Sequence, residues 1–402
     1  MGYRAAAGAI LTNKERLADR ESVDHLCLAP HQGRQTWPYL LPVTDRLTVV
    51  FSQHPFPRRR LLLAGLASAS ALLVVTACSR PQQTPDATGG TGAPQELLLV
   101  SYAVTKSAYD RILPKFEEQW KAKTGQDIKI KASYGGSGSQ TRAIIDGLDA
   151  DVAALALTAD HIKLEEVGKL NPGWETKLPN NSIITNSTVA FITRPGNPKG
   201  IKTWSDLANP DITVITANPK TSGGARWNFL GIWGSVTETG GTAEQAERFV
   251  ADVYKNVENL PKDAREASDV FLKRAQGDVL LNYENEALLA TKKGELTEPF
   301  TVPEVNIRIE GPVSVVDEVV DRRGSREAAT ALAEYLFTEE AQEIFAEAGF
   351  RPVNPTVLEK TEDNFAPVKQ LFTVQAFGGW RDINKTFFGD GGIWDRLFSQ
   401  GR

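Results

Sequence analysis

The stretch NPKTSGGARWNFLGIWG, residues 218–234, places a serine and two glycines between a predicted strand and a predicted helix. The β-branched residues 212–216 before it predict a buried strand, and apolar residues from Ala225 onward recur at helical spacing. A helix that begins at this turn leaves backbone N–H groups without partners at the positive end of its dipole. Glycine has no Cβ to keep a ligand away from the backbone. The stretch therefore predicts an anion-binding turn at Ser222, Gly223 and Gly224.

Two other turns have the same character. Residues 135–139, GGSGS, follow a predicted strand and precede a predicted helix, and Ala103 begins a similar turn after the first strand. Ligands of open α/β sheets bind at the carboxyl ends of strands, so the three turns are expected to converge. None of them matches a P-loop or a dinucleotide-binding fingerprint, which argues against a nucleotide site.

Length and composition limit the class of protein. The chain has 402 residues and a net charge of −5, which suits two soluble domains. An acidic chain has no general attraction to nucleic acid or to an anionic membrane, so neither is expected as a partner. The two cysteines, Cys27 and Cys78, lie near the start, and His161 is the only histidine beyond residue 54. Neither a metal nor a cofactor is therefore expected.

The first 95 residues are predicted to serve export rather than to fold. Residues 58–78 combine three arginines, a short apolar run and small residues before Cys78, which predicts a signal peptide. The end of this segment resembles a bacterial lipobox, so Cys78 is expected to be lipidated. Residues 1–57 are interpreted as a leader or an over-extended start. Residues 79–95, rich in Pro, Thr, Gly and Gln, are expected to form a flexible tether.

Beyond residue 96, predicted strands and helices alternate, which is typical of an α/β fold. Strands are expected over residues 97–102, 128–134, 152–157, 188–193, 212–216, 278–283 and 313–320. Helices are expected over residues 108–124, 140–147, 243–255, 267–276 and 326–348, with Gly349 as the cap of the last one.

From residue 97 to the C-terminus, the chain resembles the bacterial sulfate-binding proteins of ABC importers. The resemblance lies in residues 100–102, 135–138, 218–234, 283–290, 313–317 and 377–380. It implies a type II periplasmic binding protein, in which two α/β lobes, each a mixed sheet flanked by helices, hold the ligand in a cleft between them. The implied segments are lobe 1 (residues 96–186 and 305–350), lobe 2 (187–304) and a C-terminal segment across both lobes (351–402).

The resemblance also implies a ligand set. In this family, sulfate is bound by neutral donors, without a metal or counter-cation. Carried over, these are the backbone N–H groups of Ala103, Ser137, Ser222, Gly223, Gly224 and Ala264. The remaining donor is a tryptophan indole in the family, and Tyr283 stands at that position here. Arg226 and Arg265 are expected to support the donor turns from behind.

The expected function is delivery of sulfate to the membrane permease subunits of an importer by a monomeric, periplasmic protein. Thiosulfate is an open alternative, since relatives of the family bind it in a similar cleft. An extracytoplasmic hydrolase of sulfate or phosphate esters is a third hypothesis, and it needs a nucleophile with a base or a metal. His161 is expected on the surface at the start of a helix, and Glu284 and Glu286 are the only candidate acid–base pair. A binding protein rather than an enzyme is therefore predicted.

Overall fold

The computed structural model describes residues 95–398. The predicted leader, signal peptide with Cys78, and tether up to residue 94 lie outside the described residues. Gln95, assigned to the tether from sequence, is instead the first residue of the first strand.

Strands and helices alternate through most of the described chain. The strands are β1 Gln95–Tyr102, β2 Ile128–Gly135, β3 Val152–Ala154, β4 Ile183–Ser187, β5 Val189–Thr193, β6 Val214–Ile215, β7 Val279–Tyr283, β8 Val305–Ile307, β9 Ile309–Pro312, β10 Ser314–Val315, β11 Arg351–Pro352 and β12 Gln370–Phe372. The α-helices are α1 Lys106–Thr124, α2 Ser137–Ile145, α3 Thr158–Glu166, α4 Gly223–Thr237, α5 Ala243–Lys255, α6 Ala264–Leu272, α7 Glu284–Lys292, α8 Asp317–Arg323, α9 Arg326–Tyr335, α10 Glu339–Glu347, α11 Pro355–Thr361, α12 Trp380–Ile383 and α13 Ile393–Phe398.

Two mixed sheets form the centres of two lobes. The first has the order β10-β3-β1-β2, with β1, β2 and β3 parallel and β10 antiparallel. The second has the order β5-β7-β6, in which β7 is antiparallel to β5 and parallel to β6. The two-lobed α/β architecture predicted from the sequence is confirmed.

The chain passes between the two sheets along two paired strands. β4 leads through a single residue into β5 of the second sheet, and β9 leads through a single residue into β10 of the first. β4 and β9 pair antiparallel, with an irregular register between Ile183 and Thr185. We call β4 and β9 the crossing strands.

Helix α4, which begins in the 218–234 stretch, is a central element of the core. Its residues from Gly223 to Gly234 are all buried, as expected for a helix that is apolar on every side. The C-terminal segment covers it: Phe229 contacts the rings of Phe387, Phe388 and Trp394. Among residues 95–398, no helix combines the length and apolar character needed to cross a membrane.

Three predicted strands are clearly shorter than expected. The strand predicted over residues 212–216 is only β6, Val214–Ile215. The strand predicted over residues 152–157 ends at Ala154 as β3. The chain then leaves the sheet, and Ala156 N donates to Ser137 Oγ at 2.9 Å beside the cleft. The strand predicted over 313–320 is wrong beyond Val315. Asp317 begins α8 there, and Val316, Val319 and Val320 fit one face of a helical turn.

The long helix predicted over residues 326–348 is also wrong, because it is two helices. α9 ends at Tyr335 and α10 begins after Thr338, whose hydroxyl accepts a hydrogen bond from Ala341 N at 3.3 Å. This N-cap satisfies a backbone N–H at the start of α10, as Thr does at many helix starts.

Candidate anion-binding site

The first lobe brings two predicted donors to the cleft, each at the carboxyl end of a strand. Ala103 begins a short 3₁₀ turn directly after β1, and Ser137 is the first residue of α2, directly after β2 and Gly136. Since β1 and β2 are parallel neighbours, their ends lie side by side. The N–H of a first helical residue has no partner within its own helix, so it is available to a ligand.

The second lobe contributes the turn of the 218–234 stretch. Gly223 and Gly224 are the first two residues of α4, and their N–H groups point out of the helix start. Ser222 is the N-cap, and its Oγ accepts from Ala225 N at 3.4 Å. Its own N–H donates to Asn218 O at 2.8 Å. The prediction of a free Ser222 N–H is therefore wrong, and the hydroxyl is the group that Ser222 can offer.

Ala264 reaches the same cavity from the start of α6. Asp263 is the N-cap of this helix, and its Oδ1 accepts from Glu266 N at 2.9 Å. The carbonyl of Ala264 accepts from Asn282 Nδ2 at 2.8 Å. These bonds fix the helix start, while the first N–H of α6 has no partner within the helix.

Tyr283 ends β7 and points its phenol into the cleft. The side chain is 2% exposed, and its hydroxyl has no hydrogen-bond partner among residues 95–398. An ideal Cβ at Gly224 would lie 2.7 Å from Tyr283 Cε2 and 3.1 Å from its hydroxyl oxygen, so the phenol lies directly against the glycine turn. Burial raises the pKa of Tyr283 well above its ordinary value, and nearby Tyr102, Glu286 and Asp160 raise it further. The phenol is therefore a neutral donor over the physiological pH range.

The two lobes are in contact around the cavity. An ideal Cβ at Gly223 would lie 2.6 Å from Ala156 Cβ, and one at Gly136 would lie 2.5 Å from Thr221 O. Gly138 N donates to Thr221 O at 3.1 Å across the same boundary. Because glycine has no Cβ, the backbone of one lobe can approach the other this closely at residues 136 and 223. These contacts between the lobes show that the cleft is closed in this structure.

The closed cleft leaves only a small cavity, with a volume of about 10 Å³. Drug-sized ligands occupy pockets of about 300–1,000 Å³, so this cavity is far too small for them and favours a ligand of a few atoms. The structure brings together all seven residues that the sequence assigned to the ligand; the full lining is Tyr102, Ala103, Val104, Gly135, Gly136, Ser137, Ala156, Ser222, Gly223, Gly224, Asp263, Ala264 and Tyr283.

Asp160, beside the cavity, was missed from the sequence. The Ser137 hydroxyl donates to Asp160 Oδ2 at 2.6 Å and accepts from Ala156 N at 2.9 Å. Asp160 is fully buried in the first turn of α3, where the helix dipole favours a carboxylate. Ser137 and Asp160 lie 23 residues apart, and no local pattern links a helix-start Asp to that hydroxyl. Ser137 can therefore offer a ligand its N–H, while its hydroxyl is already committed.

We expect Ser137→Ala to lower the free energy of unfolding by about 2–3 kcal/mol, because it removes a hydrogen bond to a buried carboxylate. Urea denaturation measures this change. Ser139→Ala is the matched control in the same helix, since the Ser139 hydroxyl contacts only the exposed Arg142, and it should change stability by less than about 0.5 kcal/mol. Equal unfolding midpoints for the two variants would contradict the role given to Asp160.

Arg226 lies behind the Ser222 turn. Its Nε donates to Pro219 O at 2.9 Å, and its Nη1 donates to Asn384 Oδ1 at 3.3 Å. The guanidinium lies over the Phe388 ring at 5.0 Å from its centroid. Arg226 thereby ties the turn before α4 to the C-terminal segment, and burial lowers its pKa from the ordinary value.

Arg265 lies at the start of α6 and pairs with Glu286 at 2.7 Å. Glu286 is 3% exposed, and it also accepts from Ser268 Oγ at 2.9 Å. Burial raises the pKa of Glu286, and Arg265 opposes that rise. The pair holds α6 against α7 behind the predicted Ala264 donor.

The groups considered for hydrolysis are placed elsewhere. Glu284 pairs with Arg351 through two bonds of 2.7 and 2.9 Å, so it and Glu286 belong to separate ion pairs. His161 is fully buried, stacks on Trp174 at 4.7 Å, and its Nε2 lies 3.1 Å from Ala153 O. Its predicted surface position is therefore wrong, since its polar sequence neighbours Asp160 and Lys163 gave no sign of the Trp174 contact.

Two lobes around a closed cavity of hydrogen-bond donors define a solute-binding protein. A family model described as bacterial extracellular solute-binding protein matches residues 97–351, and the chain belongs to this family.

The relatives within the family are more specific. A sulfate-binding protein of Synechocystis sp. is 54% identical over 341 residues, which cover 84% of this chain and 97% of that protein. A thiosulfate-binding protein of Pseudomonas aeruginosa is 42% identical, covering 77% of this chain and 94% of its own length. Among solved structures, the sulfate-binding protein SubI from Mycobacterium tuberculosis superposes with a TM-score of 0.68 at 33% identity, covering 73% of this chain and all of that one. The family resemblance drawn from the sequence motifs is confirmed.

Proposed function

We propose that this protein captures sulfate in the closed cleft and delivers it to the membrane permease of an ABC importer. The observation that carries the proposal is a small cavity at which three helix starts, with N–H groups that have no partner within their helices, meet the hydroxyl-bearing residues Ser222 and Tyr283. Asp263 is the one charged residue in the lining of the cavity. Its carboxylate caps the start of α6, because Oδ1 accepts a hydrogen bond from Glu266 N. The names of the sulfate-binding relatives support the same ligand.

We assign the ligand contacts to seven residues. The backbone N–H groups are those of Ala103, Ser137, Gly223, Gly224 and Ala264, and the hydroxyls are those of Ser222 and Tyr283. Sulfate at neutral pH is a dianion that only accepts hydrogen bonds, so a wall of donors satisfies all of its oxygens. A hydrogen bond to a charged group contributes about 1.5–3 kcal/mol, and seven of them can offset the costs of desolvation and lobe closure.

The same wall disfavours phosphate. Phosphate keeps a proton at neutral pH, and that proton needs an acceptor in the cavity. A buried site rejects a ligand whose polar group it leaves unpaired. Titration calorimetry with sulfate, thiosulfate, phosphate and molybdate tests the proposal: we expect tight sulfate binding and weak phosphate binding. Phosphate binding as tight as sulfate binding, or no heat with sulfate, would reject it.

Thiosulfate is the second candidate ligand. It is favoured by the name of the Pseudomonas aeruginosa relative, which aligns over 94% of its length. Thiosulfate carries the same charge as sulfate and presents the same kind of acceptor. The relative affinities in the calorimetric series decide between the two ligands.

The remaining assignments concern the whole chain. We infer binding without catalysis, supported by the ion-paired Glu284 and Glu286 and the buried His161.

We place lobe 1 at residues 96–186 and 305–350, lobe 2 at 187–304, and the C-terminal segment at 351–402. The passage from β4 to β5 near residue 187 supports the first boundary, whereas β9 leads into the first sheet only at residue 313. We further propose a monomer in the periplasm, exported by residues 58–78 and tethered through lipidated Cys78.

Ser222→Ala is expected to weaken sulfate binding by about 1–2 kcal/mol, or roughly 5- to 30-fold, because it removes one hydroxyl donor. Calorimetry measures the affinity. Ser235→Ala is the control in the same helix, because the Ser235 hydroxyl donates to Ile232 O within α4 and contacts no cavity residue. Equal affinities for sulfate in the two variants would remove Ser222 from the ligand set.

Sulfate affinity is expected to stay constant from pH 6 to pH 9. The raised pKa of Tyr283 keeps its donor proton in place throughout this window, and sulfate itself carries no proton. Loss of the donor begins only as the pH rises toward the raised pKa, well above 10. Calorimetry at unit steps of pH checks this expectation, and a fall of tenfold or more below pH 9 would contradict the role given to the phenol.

A further inference from the structure

Tyr102 lines the cavity but is not among the residues predicted to donate a hydrogen bond to the ligand. It is the last residue of β1, it is 7% exposed, and it immediately precedes Ala103. Its ring lies against Tyr283, with centroids 6.1 Å apart and planes inclined by 46°. Tyr102 is therefore the chain neighbour of one proposed donor, Ala103, and its ring packs against a second, Tyr283.

The other end of the Tyr102 side chain reaches the crossing strands. Its hydroxyl faces the side chain of Thr185 in β4. Burial raises the pKa of Tyr102, and the neighbouring Thr185 hydroxyl opposes the rise, so the phenol stays neutral and keeps its proton. The side chain thus spans from the anion cavity to the segment where the chain passes between lobes.

Gly311 in β9 completes this contact. It pairs with Thr185 across the crossing strands. An ideal Cβ at Gly311 would lie 2.5 Å from Thr185 Oγ1 and 3.3 Å from the Tyr102 hydroxyl oxygen. Both hydroxyls therefore border the space that the missing side chain of Gly311 leaves open. The register of β4 is irregular at the same place, between Ile183 and Thr185.

We propose that Tyr102 is a positioning residue that couples the anion cavity to the crossing strands. The hydroxyl contact with Thr185 fixes the Tyr102 ring, and the ring in turn holds Ala103 and the Tyr283 phenol in donor position. Movement of the lobes about β4 and β9 displaces Thr185, so the two donors are aligned only when the crossing strands adopt the closed arrangement. The inference rests on the proposed function, because it names how sulfate is retained in the same site.

The test uses Tyr102→Phe, Thr185→Val and the double variant. Each single variant keeps the shape of the side chain and removes one hydroxyl of the contact. We expect each to lower sulfate affinity about tenfold, mainly through faster dissociation. The double variant should bind within about twofold of either single variant, since both remove the same contact. Thr185→Ser keeps the hydroxyl and should bind like the unsubstituted protein.

Two measurements separate positioning from general destabilisation. The control variant is Tyr335→Phe, because the Tyr335 hydroxyl at the end of α9 donates to Glu340 at 2.8 Å and Phe removes that hydrogen bond. The thermal midpoint of the ligand-free protein should change no more in Tyr102→Phe than in this control. Tyr335→Phe should also leave sulfate affinity unchanged. Unchanged affinity in Tyr102→Phe, or a double variant that loses the product of both single effects, would overturn the inference. If the unsubstituted protein does not bind sulfate, the proposed function fails instead, and the inference falls with it.

Discussion

Gly223→Ala should lower sulfate affinity by about 10- to 100-fold while leaving the ligand-free protein folded. An ideal Cβ at this position would lie 2.6 Å from Ala156 Cβ and 3.1 Å from Leu157 Cγ. Both neighbours are backbone-anchored and buried, so neither can move away at low cost. Overpacking of this kind costs about 1–3 kcal/mol or more, and each 1.4 kcal/mol is a factor of ten in affinity. The cost falls on the closed state alone, because the contact joins the two lobes.

The ligand-free state should respond differently. Alanine is a better helix former than glycine at the start of α4, so the thermal midpoint without sulfate should not fall. Small-angle scattering should show compaction on adding sulfate to the unsubstituted protein and none in Gly223→Ala at the same concentration.

Gly138→Ala is the matched control for this glycine. It also lies at the lobe boundary, but an ideal Cβ there would sit 3.4 Å from Lys220 O and Thr221 O, an ordinary contact. Its affinity for sulfate should stay within a few-fold of the unsubstituted protein. Tight sulfate binding by Gly223→Ala would show that the closed arrangement is not the one that holds the ligand.

Tyr283→Phe is the second substitution with a large expected effect, a loss of about 2 kcal/mol, or roughly 30-fold, in sulfate affinity. The phenol hydroxyl is buried, lines the cavity and has no partner in the described chain, so under the proposed function it donates to the anion. Phenylalanine keeps the ring against Tyr102 and Gly224 and removes only the donor. The stability of the ligand-free protein should therefore change by less than about 1 kcal/mol.

The control for this substitution is Tyr254→Phe. The Tyr254 hydroxyl is also buried without a partner among residues 95–398, but its ring packs on Phe229, Trp394 and Phe398. This variant should bind sulfate normally. Calorimetry on both variants checks the comparison, and a similar affinity for the two would place the anion away from Tyr283.

Much of the site could be predicted from local sequence. Gly223 and Gly224 follow a β-branched strand and begin an apolar helix, and this order alone predicts free N–H groups at a turn. The turn at Ser137 follows the same logic. Resemblance to a known family, rather than local pattern, pointed to Ala264 and Tyr283, because a single helix start or a single tyrosine carries no signal by itself.

The errors have different physical causes, and only one of them is a contact between residues distant in the chain. Ser222 N–H donates back to Asn218, a bond that depends on the exact path of the turn. His161 has polar neighbours in sequence but stacks on Trp174, which lies 13 residues further along the chain. The valines after residue 315 suit a strand by composition, yet Asp317 and Glu318 begin a helix that places Val319 and Val320 in the core.

By itself, the sequence determined the alternation of strands and helices and the position of the anion-binding turns, because periodicity, glycine and helix starts act within a few residues. Only the tertiary structure decided which groups meet at the cleft. Gly223 against Ala156, Ser137 on Asp160 and Tyr283 over Gly224 join segments 23 to 67 residues apart. The first contact crosses the cleft and the other two lie within one lobe, but all three form only when distant segments pack together, so no local pattern can specify them.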